Sequence, residues 1–238
     1  MNSQNKSIFF DAGPVISLAT NNLLWILEKL KSKYKGSFYF SGAVKEELID
    51  VPYKSKKFKF EAIQIMKAVE NGTFRIVPEE KTKNLTSELL NLANNVYLAN
   101  GFGIRIVHRG EMDSLAGAKM MGSEAVVIDE RTTRMLIESP YEFQTLLKSK
   151  LHTNVRIRED NLKKFNDSVK GIKIIRSAEL AAISYELGVM NDYLPKVADA
   201  GRELLEGVLW GVKLSGCSVS REEIDKIIKF ETKKQKSI

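Results

Sequence analysis

The chain has 238 residues, 43% of them hydrophobic, and carries 37 lysines and arginines against 30 acids, a formal charge of +7. That length can bury one substantial core, no run of ~18 apolar residues is present to span a membrane, and the polar start Met1–Ser7 meets Ile8 without a secretory apolar region. One cysteine, Cys217, leaves no internal disulfide framework and no cysteine zinc centre, so a cytoplasmic protein without a membrane is expected, its basic excess favouring a polyanionic partner.

In chain order, "SIFF" (7–10) is a strand, and the stretch 13–35 carries apolar residues at three- and four-residue spacing, predicting one or two helices. "GSFYF" (36–40) is a second strand, and "SGAVKEELI" (41–49) follows with Ser41 placed as an N-cap. "FEAIQIMKAVENG" (60–72) is a helix closed by Asn71 and Gly72. "TFRIV" (73–77) is a third strand stopped by Pro78, and residues 84–100 are expected to be helical. "GEMDSLAGAKMMG" (110–122) is a helix, "SEAVVID" (123–129) a fourth, nearly all apolar strand, and "ERTTRMLIES" (130–139) a helix. Residues 141–170 are polar and charged, an extended connection or a small helical insertion. "GIKII" (171–175) supplies a fifth strand, and the rest, to about residue 230, is helical. Such alternation argues for an α/β sandwich on a mostly parallel sheet, with all 238 residues in one domain.

Open α/β sheets bind ligands outside the carboxyl ends of their strands, and acids fall at several of those places. Asp11 ends the first strand, Asp129 the fourth, and Glu46 and Glu47 follow the second. Glu111 and Asp113 open the helix before the fourth. Each has an ordinary explanation: a helix cap for Asp11 and Asp129, the helix dipole for Glu111 and Asp113, plain helix surface for Glu46 and Glu47. Converging in one crevice, however, they would repel, and a hard cation such as Mg2+ or Mn2+, which prefers oxygen ligands, would relieve that cost. The two histidines show no partner pattern. Lysines concentrate at 53–60, 162–176 and in the tail from Lys229. In the first cluster Tyr53, Phe58 and Phe60 interleave them, a composition suited either to a solvated loop or to single-stranded nucleic acid.

The segments "FFDAGPVISLA", "FYFSGAVKEEL" and "GEMDSLAGAKMMGSEAVVIDERTTR" resemble, in order and spacing, the PIN-domain nucleases, in particular the prokaryotic branch related to VapC-type toxins. The likeness covers residues 7–137, with a weaker echo over 174–225. It implies a three-layer α/β/α sandwich with an enlarged helical insertion at about 52–109 and closing helices. It also implies a Mg2+- or Mn2+-dependent endoribonuclease cutting single-stranded RNA. Carried over, the family's acids fall on Asp11, Glu47 (Glu46 if the register slips), Asp113 and Asp129, with Glu111 as an auxiliary metal ligand. Arg131 and Arg134 match basic positions that contact phosphate, and Lys54, Lys56 and Lys57 lie on the inserted stretch near the expected entrance to the site. The likeness further implies a homodimer. Ser41 replaces a usual proline, and the long 51–109 stretch departs from compact toxins.

Competing classes are weaker. A haloacid-dehalogenase-type phosphotransferase needs an aspartate where Gly13 stands, and neither a P-loop nor a dinucleotide-binding glycine motif is present. A non-catalytic scaffold holding RNA or protein is the alternative from a different class, and a toxin held by an antitoxin protein a third.

Overall fold

The computed structural model describes residues 6–235. Residues 1–5 of the polar start and 236–238 of the basic tail lie outside that range. The chain opens with β1 (Ser7–Phe10), α1 (Ala12–Thr20), α2 (Leu24–Tyr34) and β2 (Ser37–Ser41). Helix α3 (Gly42–Lys45) passes through a wider π turn (Glu46–Asp50) into α4 (Val51–Lys54). There follow α5 (Lys59–Glu70), β3 (Phe74–Val77), α6 (Glu79–Ala93), β4 (Tyr97–Ala99), β5 (Phe102–Gly103) and α7 (Arg109–Met121). The second half comprises β6 (Ala125–Val127), α8 (Arg131–Glu138), α9 (Pro140–Leu151), β7 (Val155–Ile157) and α10 (Glu159–Val169). It closes with β8 (Lys173–Ile175), α11 (Ser177–Glu186), α12 (Ala200–Leu214) and α13 (Arg221–Gln235).

Five parallel strands form the central sheet in the order β3-β2-β1-β6-β8, and a small antiparallel sheet, β5-β4-β7, stands apart from it. Side chains alternate across the strands, so each apolar run feeds two cores. Phe10, Phe38, Phe40, Phe74 and Val127 pack on one face with residues of α1, α2, α11, α12 and α13. Phe9, Val126 and Ile128 pack on the other with α6, α7, α9 and α10. The result is a three-layer α/β/α sandwich on a parallel sheet, the α/β class that the alternation of strand and helix signals argues for. No helix among the described residues is long and apolar enough to cross a membrane.

The order reverses at β1: the chain builds outward through β2 and β3 on one side, then returns to add β6 and β8 on the other. The carboxyl ends of β1 and β6 flank this switch point, the place where an open sheet of this kind takes its ligands. Helix α7 lies close over β1, and Gly117 makes that approach possible. A methyl group there would lie 2.2 Å from Phe9 Cζ, and Phe9 is fully buried. Gly117→Ala is therefore expected to cost about 1–3 kcal/mol, the usual range for overpacking, measured as a lowered denaturant midpoint.

Three stretches differ from their sequence reading. The helix expected over 84–100 runs instead over Glu79–Ala93 and gives way to β4. Asn94 ends it: its Oδ1 accepts from Ile106 and Val107 N–H at 2.8 and 3.0 Å, and its Nδ2 donates to Val107 O at 3.2 Å, so a side chain pins the connection between β5 and α7. Residues 141–170 fold as α9, β7 and α10, with β7 completing the small sheet. The stretch 52–109, expected as a helical insertion, contains β3 of the central sheet and both β4 and β5.

Candidate active site

The site begins where β1 stops. Asp11 N–H donates to Val127 O at 3.0 Å, the last rung between the two central strands, and Asp11 then stands as N-cap of α1. Its carboxylate is buried, 8% exposed. Helix α7 crosses above it, and the residues presented there, one turn apart, are small: Gly110 and Ser114. The Ser114 hydroxyl donates to Asp11 Oδ1 at 3.1 Å. A methyl group on Gly110 would lie 3.8 Å from Glu47 Oε2 and 4.0 Å from Asp11 Oδ1, so both carboxylates border the space that this glycine leaves open. At Gly13 a methyl would lie 3.8 Å from Asp11 Oδ2 and 3.9 Å from Asp129 Cβ.

Glu47 reaches this place from the π turn, in which Val51 N–H bonds back to Glu46 O. Such single wide turns recur at functional sites because they re-aim side chains. Glu111 sits at the third position of α7, its carboxylate accepting from His108 N–H at 2.5 Å. The acids perturb one another. Asp11 is pushed up to about 7, chiefly by burial, then by the charges of Glu111 and Glu47, while the Ala12 N–H and the Ser114 hydroxyl pull the other way. Glu111 is pushed up to about 7 by burial and by Glu130 and Glu47, against the His108 N–H. Glu47 is exposed on the π turn, like Glu46, and partial loss of hydration still raises it. Raised carboxyls that act on one another mark a candidate functional site.

Asp129 lies beside Asp11 at the same sheet edge but is occupied with structure. Its Oδ1 accepts from Ser177 N–H at 2.7 Å, and its Oδ2 from Ser177 Oγ at 2.8 Å and Ser17 Oγ at 3.4 Å. The Cys217 thiol, pushed up to about 12 by burial and then by the Asp129 charge, stays protonated and also bonds to it. Burial raises Asp129 despite these donors. Asp129 thus anchors the first turn of α11, while Glu130 caps α8 through Thr132.

Asp113 is directed elsewhere. It is fully buried, and its Oδ1 accepts from Thr82 and Thr86 of α6 at 2.5 and 2.8 Å; no protein partner reaches its Oδ2 among the described residues. Asp113 borders the face that carries Gly110 and Ser114, and the two threonine hydroxyls of α6 draw its Oδ1 to the α6–α7 contact. Glu46 is exposed on the π turn. Lys54, Lys56 and Lys57 are exposed on the segment that follows Glu47. Arg131 and Arg134 line a cleft of about 540 Å³ with Lys213, Ser218 and Ser220, and Arg134 lies 4.0 Å from Glu223.

The spacing of the sequence did not flag Gly110, Ser114, Ser17 or Ser177, although small residues four apart on a helix do mark a close approach. As they stand, no three Asp, Glu, His or Cys side chains among the described residues are gathered at metal-ligand distances. The donor set nevertheless fits a small hard cation. Mg2+ is held by one or two carboxylates and keeps several waters, and Asp11 and Glu47, with Glu111 adjoining, border one opening. Comparison of the chain with family models, with curated proteins and with solved structures returns no match.

Proposed function

We propose that this chain is a PIN-type endoribonuclease that hydrolyses phosphodiester bonds of single-stranded RNA at the crevice bordered by Asp11, Glu47 and Glu111. The observation that carries the reading is that Asp11 and Glu47 border one space at the switch point of a parallel sheet, near enough to Glu111 that its charge raises Asp11. Acids destabilised in that way gain from a cation, and Asp11 and Glu47 would hold it, with Glu111 at the rim. Bound there, Mg2+ or Mn2+ would supply Lewis acidity and a water of lowered pKa.

The chain's own groups serve the same chemistry. Ser114 fixes the orientation of the Asp11 carboxylate by its 3.1 Å hydrogen bond. The N-termini of α1, α3 and α11 follow directly on the carboxyl ends of β1, β2 and β8, bringing positive dipole ends to the edge a phosphate would approach. Exposed Lys54, Lys56 and Lys57 add a cationic approach beside Glu47. Four acids in one sphere are not required: Asp113 serves the α6–α7 contact and Asp129 the α11 anchor.

Purified full-length protein incubated with Mn2+ should cleave a mixed-sequence single-stranded RNA, and EDTA should return cleavage to background. Cleavage should weaken as salt rises, because lysine–phosphate contacts release counterions. Absence of cleavage with either Mg2+ or Mn2+, on RNA and on single-stranded DNA alike, sinks the reading in favour of a binding scaffold.

A further inference from the structure

Between the π turn and α5 lies an arrangement that the acids do not use. Residues 51–60 read VPYKSKKFKF, with four lysines, three aromatic rings and no acid. All but Pro52 are exposed, with Tyr53, Phe58 and Phe60 at 46%, 40% and 68%. Rings that served only the core would be buried; these are exposed, and two of them, Phe58 and Tyr53, have an ammonium group within reach. Lys57 Nζ lies 4.8 Å from the centre of the Phe58 ring, and Lys59 Nζ 5.3 Å from that of Tyr53.

The backbone holds this display in place. Phe58 adopts φ 61° and ψ 19°, the left-handed region in which a bulky side chain is a rare outlier. Conformations of that kind persist where surrounding contacts enforce them, and they cluster at binding and catalytic sites. The contacts are present: Ser55 Oγ donates to Pro52 O at 3.1 Å and to Lys57 O at 2.7 Å, and Ala62 N–H bonds to Phe58 O at 3.0 Å to start α5. Phe58 also helps to line a crevice of about 40 Å³ whose wall includes Glu47 and Pro52. Ile16, Leu48 and Ile65 supply its apolar walls, so one edge of the Phe58 ring rests on the core next to Glu47 while the rest faces solvent.

We propose that the α4–α5 segment is a nucleobase-stacking subsite for single-stranded RNA, in which Phe58 takes the base nearest the acidic centre. Tyr53 and Phe60 offer further faces, and Lys54, Lys56, Lys57 and Lys59 meet the phosphates between them. The occupant follows from the chemistry: rings alternating with ammonium groups match a polyanion whose planar apolar faces alternate with charges. A protein partner would be matched by contiguous apolar area, which the interposed lysines interrupt. The inference rests on the nuclease reading for where the strand leads, but the binding itself is measured with no cleavage taking place.

The test is a fluorescence-anisotropy titration of the full chain, in EDTA, with a labelled single-stranded oligoribonucleotide. Phe58→Ala is expected to weaken binding about tenfold, within the range for loss of one stacked base, and Phe58→Tyr to retain it. Phe58→Gly is the decisive variant. It relieves the left-handed backbone, so thermal stability should hold or rise, yet its affinity should fall as far as that of Phe58→Ala. Lys57→Gln should weaken binding and flatten its dependence on salt. Wild-type affinity in Phe58→Gly overturns the subsite, as does a wild type that binds no RNA, or Phe58-dependent binding to phosphatidylserine vesicles in place of RNA. The two readings separate cleanly. Phe58-dependent binding without Mn2+-supported cleavage keeps the subsite and removes the hydrolysis, and unchanged cleavage and binding in Phe58→Gly do the reverse.

Discussion

Asp11→Asn is expected to lower Mn2+-dependent RNA cleavage by on the order of 10²–10³-fold, the scale of losing one preorganised electrostatic group, and to make the metal-free protein more stable at the same time. The second half of the expectation follows from the direction of the Asp11 shift. Its carboxyl ionises near 3.8 in an unfolded chain and at about 7 in the folded one. Below about pH 4 it is protonated in both states, and burial of the neutral acid costs little. Between about pH 4 and 7 the unfolded chain releases the proton while the folded chain keeps it, so stability falls as pH rises. Above about pH 7 both states are ionised, and the folded protein carries the full cost of a desolvated charge beside Glu111 and Glu47. A shift of that size corresponds to roughly 4 kcal/mol if Asp11 titrated alone; shared with Glu111, a gain of about 1–3 kcal/mol in the variant is the expected scale. Denaturant melts of wild type and Asp11→Asn at pH 4 and pH 8, in EDTA, read it directly. The two curves should lie close together at the lower pH and separate at the higher one. Mg2+ or Mn2+ should raise the wild-type midpoint at pH 8 and leave the variant nearly unmoved. A variant that is equally active, or less stable at pH 8 than wild type, contradicts the assignment of Asp11.

A loss of function accompanied by a gain of stability separates this site from an ordinary buried network, in which removing one partner costs both. It also says what kind of information a single sequence can hold. The position of Asp11 was legible because a run of apolar residues, Ile8 to Phe10, turns abruptly into an acid and then a helix, and that junction is local. Asp129 was legible at its strand end in the same way. The α/β class and the mostly parallel sheet followed from strand and helix signals in alternation, whereas the strand order β3-β2-β1-β6-β8 did not, because it depends on which strands meet across the sheet.

What could not be read was the direction of each side chain across the crevice. Asp113 sits one residue before Ser114, and only the packing of α7 on α6, which brings Thr82 and Thr86 opposite it, decides that it faces away from Asp11. Thr82 and Thr86 are four apart and visibly share a helix face, but nothing local says which helix they meet. The donors around Asp129 come from Ser17, Ser177 and Cys217, up to 112 residues distant in the chain. The boundary of α6 was missed for a related reason: Asn94 stops the helix by binding Ile106 and Val107, a contact with a loop twelve residues on that is invisible when the helix is read alone.

The contrast between the two central acids yields the largest expected loss of stability. Asp129→Ala removes the acceptor for Ser177 N–H, Ser177 Oγ and Ser17 Oγ, with the Cys217 thiol, in a place 4% exposed. Each buried donor left without an acceptor costs about 1–3 kcal/mol. Water entry and rearrangement of the hydroxyls, which can turn to other acceptors, hold the total to roughly 3–5 kcal/mol. The first turn of α11 should loosen with it, so backbone amides near Ser177 should lose hydrogen-exchange protection before the rest of the sheet. Asp129→Asn is the informative partner. Its amide oxygen can still accept from Ser177 N–H, and its NH2 can donate to a rotated Ser177 hydroxyl, so about 1–2 kcal/mol is the expected cost. If Asp129 acts as an anchor, Asp129→Asn retains much of the RNA cleavage that Asp11→Asn abolishes. If instead Asp129→Asn folds as well as wild type and is as inactive as Asp11→Asn, Asp129 belongs with Asp11 and Glu47 around the cation, and its hydrogen bonds to α11 hold a ligand in position.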